Sequence, residues 1–295
     1  MTNAAATDGV EIEVDQLVSI IGRYLGGGNA EVLAAQALVD SEAAHDPGFG
    51  LELLAESVGL RAAPVVEQAD LVGRLDASEC FGPTAVAAAT IHAVDAASRD
   101  GIGMVRATSV GRLGRLAPYA RWGAGRGVVT WVVADAPPAV APHGGNAAVL
   151  GTNPIAIAAP GQPVLVADFA TSAATEMARR DDSHLLAPRG GLIGTLVSLM
   201  VAVLTGGVSG RRPTRAAGRT VAVLALRPDD IEETSAWLDR LASDFVASGA
   251  RLPGRRVEAC SGAPTMRVDL ERCGPVAAEV ATYANNARRS GSDRT

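Results

Sequence analysis

The chain has 295 residues, 48% of them apolar, which is enough to bury a sizeable core in one large domain or in two to three small ones. Its net charge of −6 and pI near 5.3 give no field that draws phosphate backbones or anionic membranes, so nucleic-acid and membrane-surface binding are excluded as expectations. Small molecules or proteins are the expected partners.

The first elements are two amphipathic helices, Val14 to Tyr24 and Ala30 to Ala44, separated by the helix-stopping Gly26-Gly27-Gly28. The segment before them, Met1 to Asp15, lacks the basic and apolar regions of a signal peptide, and a cytoplasmic protein is expected. An alanine-rich helix follows from Gly82 to Arg99, then a short strand from Ile102 to Ala107. Pro118 to Ala124 reads as a helix ended by glycines, Val128 to Ala134 as a strand, and Val149 to Ala159 and Val164 to Phe169 as two more. Leu192 to Leu204 is strongly apolar but shorter than the ~20 residues a bilayer requires, so a buried helix is expected. After an Arg- and Gly-rich loop, Thr220 to Leu226 is a strand. Ile231 to Ala247 is an amphipathic helix, Pro275 to Ala287 the last helix, and Asn286 onward a frayed polar tail.

All 26 basic residues are arginine, so no lysine Schiff base, internal pyridoxal linkage or lysine general acid can operate in this chain. Cys80, Cys260 and Cys273 are odd in number and lack CxxC spacing, which speaks against a disulfide framework or a zinc site. Gly123-Ala124-Gly125-Arg126-Gly127 looks like a dinucleotide fingerprint but precedes a strand, whereas a Rossmann phosphate loop leaves a strand and opens a helix. It reads as a structural turn.

Three motifs stand in order: Ala134-Asp135-Ala136-Pro137-Pro138 running to Pro142-His143-Gly144-Gly145, then Leu150-Gly151-Thr152-Asn153-Pro154-Ile155-Ala156, then Asp168-Phe169-Ala170-Thr171-Ser172-Ala173. Together they closely resemble the central region of the malate/L-lactate dehydrogenase family of NAD(P)-dependent oxidoreductases. The resemblance takes in the preceding helices and Gly190 to Gly207, and is weakest after Ala216. It implies a non-Rossmann α/β fold: a mixed, largely antiparallel sheet flanked by helices, with a helical cap built from both termini. The implied organisation is a cap segment at 1–75, a central α/β domain at 76–215 and a C-terminal segment at 216–295 that packs with the cap. It further implies a homodimer with the site near the subunit interface. By position, Thr152, Asn153, Asp168, Thr171 and Ser172 are the residues that would line a cofactor, NAD or NADP. Asp168 and Ser172 are equally readable as satisfying backbone donors in tight turns.

The remaining motifs depart from the family's pattern. Its Ser-His-Gly aligns with Gly48-Phe49-Gly50, which puts a phenyl ring in place of the catalytic imidazole. Its His-x-Gly-Arg-Leu-Gly aligns with Ser109-Val110-Gly111-Arg112-Leu113-Gly114, and its Gly-Gly-x-Lys-Gly with Gly190-Gly191-Leu192-Ile193-Gly194. A segment carrying Thr-Asp-Pro in the family is reduced here to Glu176 to Arg189. General acid–base groups contribute ~10²–10⁴-fold each, so a site without them is expected to transfer hydride poorly. The expected pocket is lined by Phe49, Ser109, Ile193 and His143, takes an apolar small molecule and needs no cofactor. The favoured reading is a redox-neutral cyclase or isomerase. An NAD(P)-dependent oxidoreductase that recruits His45, Asp46 or His143, and a non-catalytic dimeric binding protein, remain as alternatives. His92 and His184 read as surface or packing residues.

Overall fold

A computed structural model describes residues 9–45, 48–60, 64–69, 72–174, 185–207, 218–250, 252 and 264–292. Asp46, His184 and Cys260, and most of the shortened 176–189 connection, lie outside the described residues.

The chain opens with β1 (Gly9–Glu13) and α1 (Val14–Leu25), whose buried stripe is Leu17, Val18, Ile20 and Ile21. Gly26, at φ 133°, adopts a backbone conformation L-residues avoid, and the chain then turns back as α2 (Asn29–Ala43). Helix α2 packs on α1 on one side and on α3 (Gly82–Asp100) on the other. The alanines of α3 allow close approach to the sheet: a Cβ on Gly103 would overlap the carbonyl oxygen of Ala93.

Seven strands form the main sheet: β2 (Glu67–Ala69), β3 (Val72–Asp76), β4 (Ile102–Val110), β5 (Val129–Asp135), β6 (Pro154–Ala159), β7 (Leu165–Ala170) and β8 (Arg219–Leu226). Their order is β2-β3-β4-β8-β5-β6-β7, and β3 with β4 is the one parallel pair. The sheet is therefore mixed and largely antiparallel, as expected. Alternation divides its faces. Thr130, Val132, Ala134, Val221, Val223 and Ala225 face α3 and α4 (Ala117–Ala124), whereas Val133, Ile155 and Ala222 face α5 (Leu192–Thr205).

Of the C-terminal segment, β8 lies in the middle of the main sheet, between β4 and β5, so the boundary drawn at 216 does not separate structural layers. Helix α6 (Ile231–Ala247) starts at Asp230, whose carboxylate accepts the Glu233 amide. Among the described residues of this segment, 264–292 join the cap. There β9 (Thr265–Asp269) pairs antiparallel with β1, and α7 (Ala277–Ser292) packs behind the ribbon, sharing a core with Leu17, Leu51, Leu54 and Phe81. The helix continues past Asn286, where fraying is expected, to Ser292. No helix among the described residues is long and apolar enough to cross a membrane.

Candidate active site

The sheet register brings six segment ends together. Asp76 of β3, Val110 of β4, Arg219 of β8, Asp135 of β5, Pro154 of β6 and Ala170 of β7 all lie at one end of the sheet. Ser109 lies near the end of β4, and the loops leaving that end carry His143, Thr152, Asn153, Thr171 and Ser172. Positions scattered over 60 residues of sequence thus share one rim.

Asn153 is the tie at its centre. Fully buried and held at φ 38°, it accepts the Ala136 amide at 2.9 Å through Oδ1. Its Nδ2 donates to Ser198 Oγ at 2.8 Å and to the Ser198 carbonyl at 3.3 Å, joining the β5 exit, the β6 start and α5. Thr171 donates Oγ1–H to the Thr152 carbonyl at 3.1 Å, and Ser172 donates its hydroxyl to the Ala174 carbonyl at 2.5 Å. Three of the positions expected to line a cofactor therefore use their polar groups to fix the rim.

Asp168 has a similar role. Its Oδ2 accepts the amides of Leu116 at 3.2 Å and Ala117 at 2.9 Å, the unpaired donors at the N-terminus of α4, where a carboxylate is also favoured by the helix dipole. Asp168 thus satisfies backbone donors, whereas the Ser172 hydroxyl donates to a backbone carbonyl.

On the opposite flank, β4 bulges between Ala107 and Val110, and Ser109 takes φ 59°. Gly218 packs against its backbone, with an added Cβ only 2.7 Å from Ser109 C. The turn that follows meets the Phe49 loop: Arg112 Nη2 donates to the Gly48 carbonyl at 2.5 Å, and a Cβ on Gly114 would lie 3.1 Å from Phe49 O. Phe49 is half-buried.

Helix α5 begins at the rim. A Cβ on Gly194 would lie 2.9 Å from the Thr171 carbonyl oxygen, and one on Gly191 3.1 Å from His143 Nδ1. The His143 amide donates to Thr195 Oγ1 at 3.0 Å, which places the exposed imidazole at the helix start. Ile193, by contrast, is 71% exposed on the outer face of α5 and faces solvent in the single chain instead of walling an enclosed cavity. His45 and His92 are also exposed.

Sequence reasoning missed the cations of this site. Arg115 Nε lies 3.8 Å from Asp168 Oδ2, and Arg189 Nε donates to the Ala170 carbonyl at 2.9 Å. Both flank assigned motifs, Gly111 to Gly114 and Gly190-Gly191, and adjacency to glycine turns was the available signal. Among the described residues no cluster of His, Cys, Asp and Glu could hold a metal ion.

The sequence model of malate/L-lactate dehydrogenase matches residues 52–182, the stretch that supplies most of this rim. A Δ1-pyrroline-2-carboxylate/Δ1-piperideine-2-carboxylate reductase of Pseudomonas syringae pv. tomato is 30% identical over 220 residues, 61% of this chain and 64% of that protein. The chain is similar to the malate/L-lactate dehydrogenase family over this central stretch. A malate dehydrogenase of Pyrococcus abyssi is 36% identical over 110 residues, spanning 37% of this chain and 30% of that protein. The fold agrees along the chain: the structure of malate dehydrogenase from Pyrococcus horikoshii OT3 superposes with a TM-score of 0.76 at 21% identity, covering 95% of this chain and 99% of that one. The matched stretches span less than two thirds of the two curated relatives.

Proposed function

We propose that this protein is a divergent malate/L-lactate dehydrogenase homologue and a redox-neutral enzyme of cyclase or isomerase type, of the kind secondary metabolism employs, which holds an apolar small molecule at the loop-bearing end of the sheet. One observation carries the reading. Of the nine site positions that the resemblance singles out, only His143 and Asp168 are titratable, and Asp168 accepts the α4 amides. Phe49, Ser109 and Ile193 supply a ring, a hydroxyl and an alkyl group. Such a set can orient a ligand and, through His143, move one proton, but cannot pass several protons in turn. Positioning alone can contribute ~7–11 kcal/mol when a floppy reaction is made intramolecular.

A second reading, NAD(P)-dependent reduction of a small oxo or imino acid, is favoured by the likeness to the P. syringae reductase and by Arg115 and Arg189, since guanidinium groups suit a carboxylate. Calorimetric titration with NADH and NADPH separates the two. The first reading expects no binding in the low micromolar range, and a dissociation constant in that range for either cofactor favours the second.

We also propose that the protein is a homodimer whose interface adjoins the site. Leu192, Ile193, Leu196, Leu199, Met200 and Val203 are 41–71% exposed on one helix without a charged residue, an apolar face unusual for a monomer. Because α5 starts at the rim, cover over this face would also wall the site near Ile193. Light scattering at micromolar concentration is expected to give twice the chain mass of 30.0 kDa, and a single-chain mass would refute the dimer.

A further inference from the structure

We infer that Glu42 and Arg272 are positioning residues for Phe49, an inference that rests on the pocket reading above. They act on the loop that carries the ring. Glu42, on α2 with its side chain 8% exposed, accepts the Leu51 amide at 3.2 Å through Oε2 and pairs through Oε1 with Arg272 Nη1 at 2.7 Å. Arg272 follows β9 in the chain, and its Nη2 and Nε also donate to Glu52 Oε2 at 2.6 and 3.1 Å. One guanidinium from near the C-terminus thus joins an acid on α2 to an acid just beyond Phe49.

Gly50 shows how closely this clasp grips the loop. Its φ of −104° is open to any residue, yet a Cβ there would overlap Glu42 Oε2. The second glycine of Gly48-Phe49-Gly50 is therefore needed for the carboxylate's approach to the Leu51 amide. On the other flank Arg112, itself paired with Glu56 at 2.9 Å, holds the Gly48 carbonyl, and Gly114 packs on the Phe49 carbonyl. Phe49 is fixed from both sides by arginines remote in sequence. Packing of Leu51, Leu53 and Leu54 already anchors the following turn in the cap core, and a buried carboxylate adds a desolvation cost which that anchoring does not require. What the carboxylate adds is a defined backbone position beside the ring.

The test is ¹⁹F NMR of protein labelled with 4-fluorophenylalanine, which has four signals from Phe49, Phe81, Phe169 and Phe245, the first assigned with Phe49→Leu. Glu42→Gln and Arg272→Ala are each expected to shift and broaden the Phe49 line while the Phe169 and Phe245 lines keep their positions, and Arg272→Lys to restore most of the original line. If Arg272→Ala does not fold, Glu42→Gln and Arg272→Lys decide. A Phe49 line unchanged in the folded variants, or lines that all move together, overturns the positioning role. Cofactor-dependent turnover would sink the pocket reading and leaves this comparison intact, so the two failures are separable.

Discussion

Replacing Asn153 by alanine is expected to lower the unfolding free energy by about 3 kcal/mol. The buried Ala136 amide loses its acceptor, which costs about 1–3 kcal/mol, and alanine in the left-handed region costs about 1 kcal/mol more. Ser198 loses its partner on α5 at the same time. Gly151 cannot move in to compensate, because it already packs on the Ala136 carbonyl and on Asn153 Oδ1. Urea unfolding should show a lower midpoint with an unchanged slope. A loss below about 1 kcal/mol would mean that the rim is not held together by this amide.

Asp40 should be nearly as sensitive, for a different reason. It lies on α2 with its side chain 9% exposed, accepts Gln36 Nε2 at 2.9 Å and stands 4.0 Å from Arg121 Nη1 on α4. Arg121 Nε and Nη2 are buried with no hydrogen-bond partner among the described residues. Removing the carboxylate in Asp40→Ala leaves this guanidinium buried beside no anion there, a change that costs about 3 kcal/mol. Replacing both, Asp40→Leu with Arg121→Met, is expected to recover most of that loss, because the desolvation of both charges disappears. Similar destabilisation in the single and double variants would contradict the pairing.

The same burial gives a pH signature. Desolvation raises the Asp40 carboxyl above its usual 3.8, against the opposing effects of Gln36, Arg121 and Arg115. It also raises Glu42 above 4.5, against the Leu51 amide and Arg272, with Glu52 adding to the rise. For an acid raised in the folded state, the folded chain binds more protons than the unfolded one between the two pKa values. The associated stability is full below the ordinary value and is lost as pH rises through the raised one. Acidification through that window should therefore strengthen the contribution of these two sites, and Asp40→Asn should remove its share.

Much of the layer structure was legible because apolar spacing is a local signal. Helices α1, α2, α3, α5 and α6 and the centres of β4, β5 and β8 follow from periodicity within 7–19 residues. The β1–β9 ribbon was not legible, since Gly9 pairs with Asp269 and neither short strand has a partner nearby in sequence. The strand expected from Val149 starts only at Pro154. Gly151 and the left-handed Asn153 break the extended backbone before it, in order to reach Ala136 and Ser198. For the site, motif resemblance located the rim residues but not their bonds. The bonds of Asp168 were not legible because its α4 partners lie 51 and 52 residues away, a pairing that spacing alone does not reveal. Ile193 was placed in a wall by alignment, although it lies on the outer face of α5.

The central proposal, that this protein does not transfer hydride despite its likeness to a dehydrogenase family, is tested most directly by steady-state turnover. Pyruvate, oxaloacetate and Δ1-piperideine-2-carboxylate would each be supplied with NADH and with NADPH, and malate and lactate with the oxidised cofactors. Nicotinamide absorbance would be followed in each case. The account predicts no rate above the enzyme-free blank for any pair. Saturable turnover of any one, lost on heat denaturation of the protein, would contradict it and establish the reductase reading.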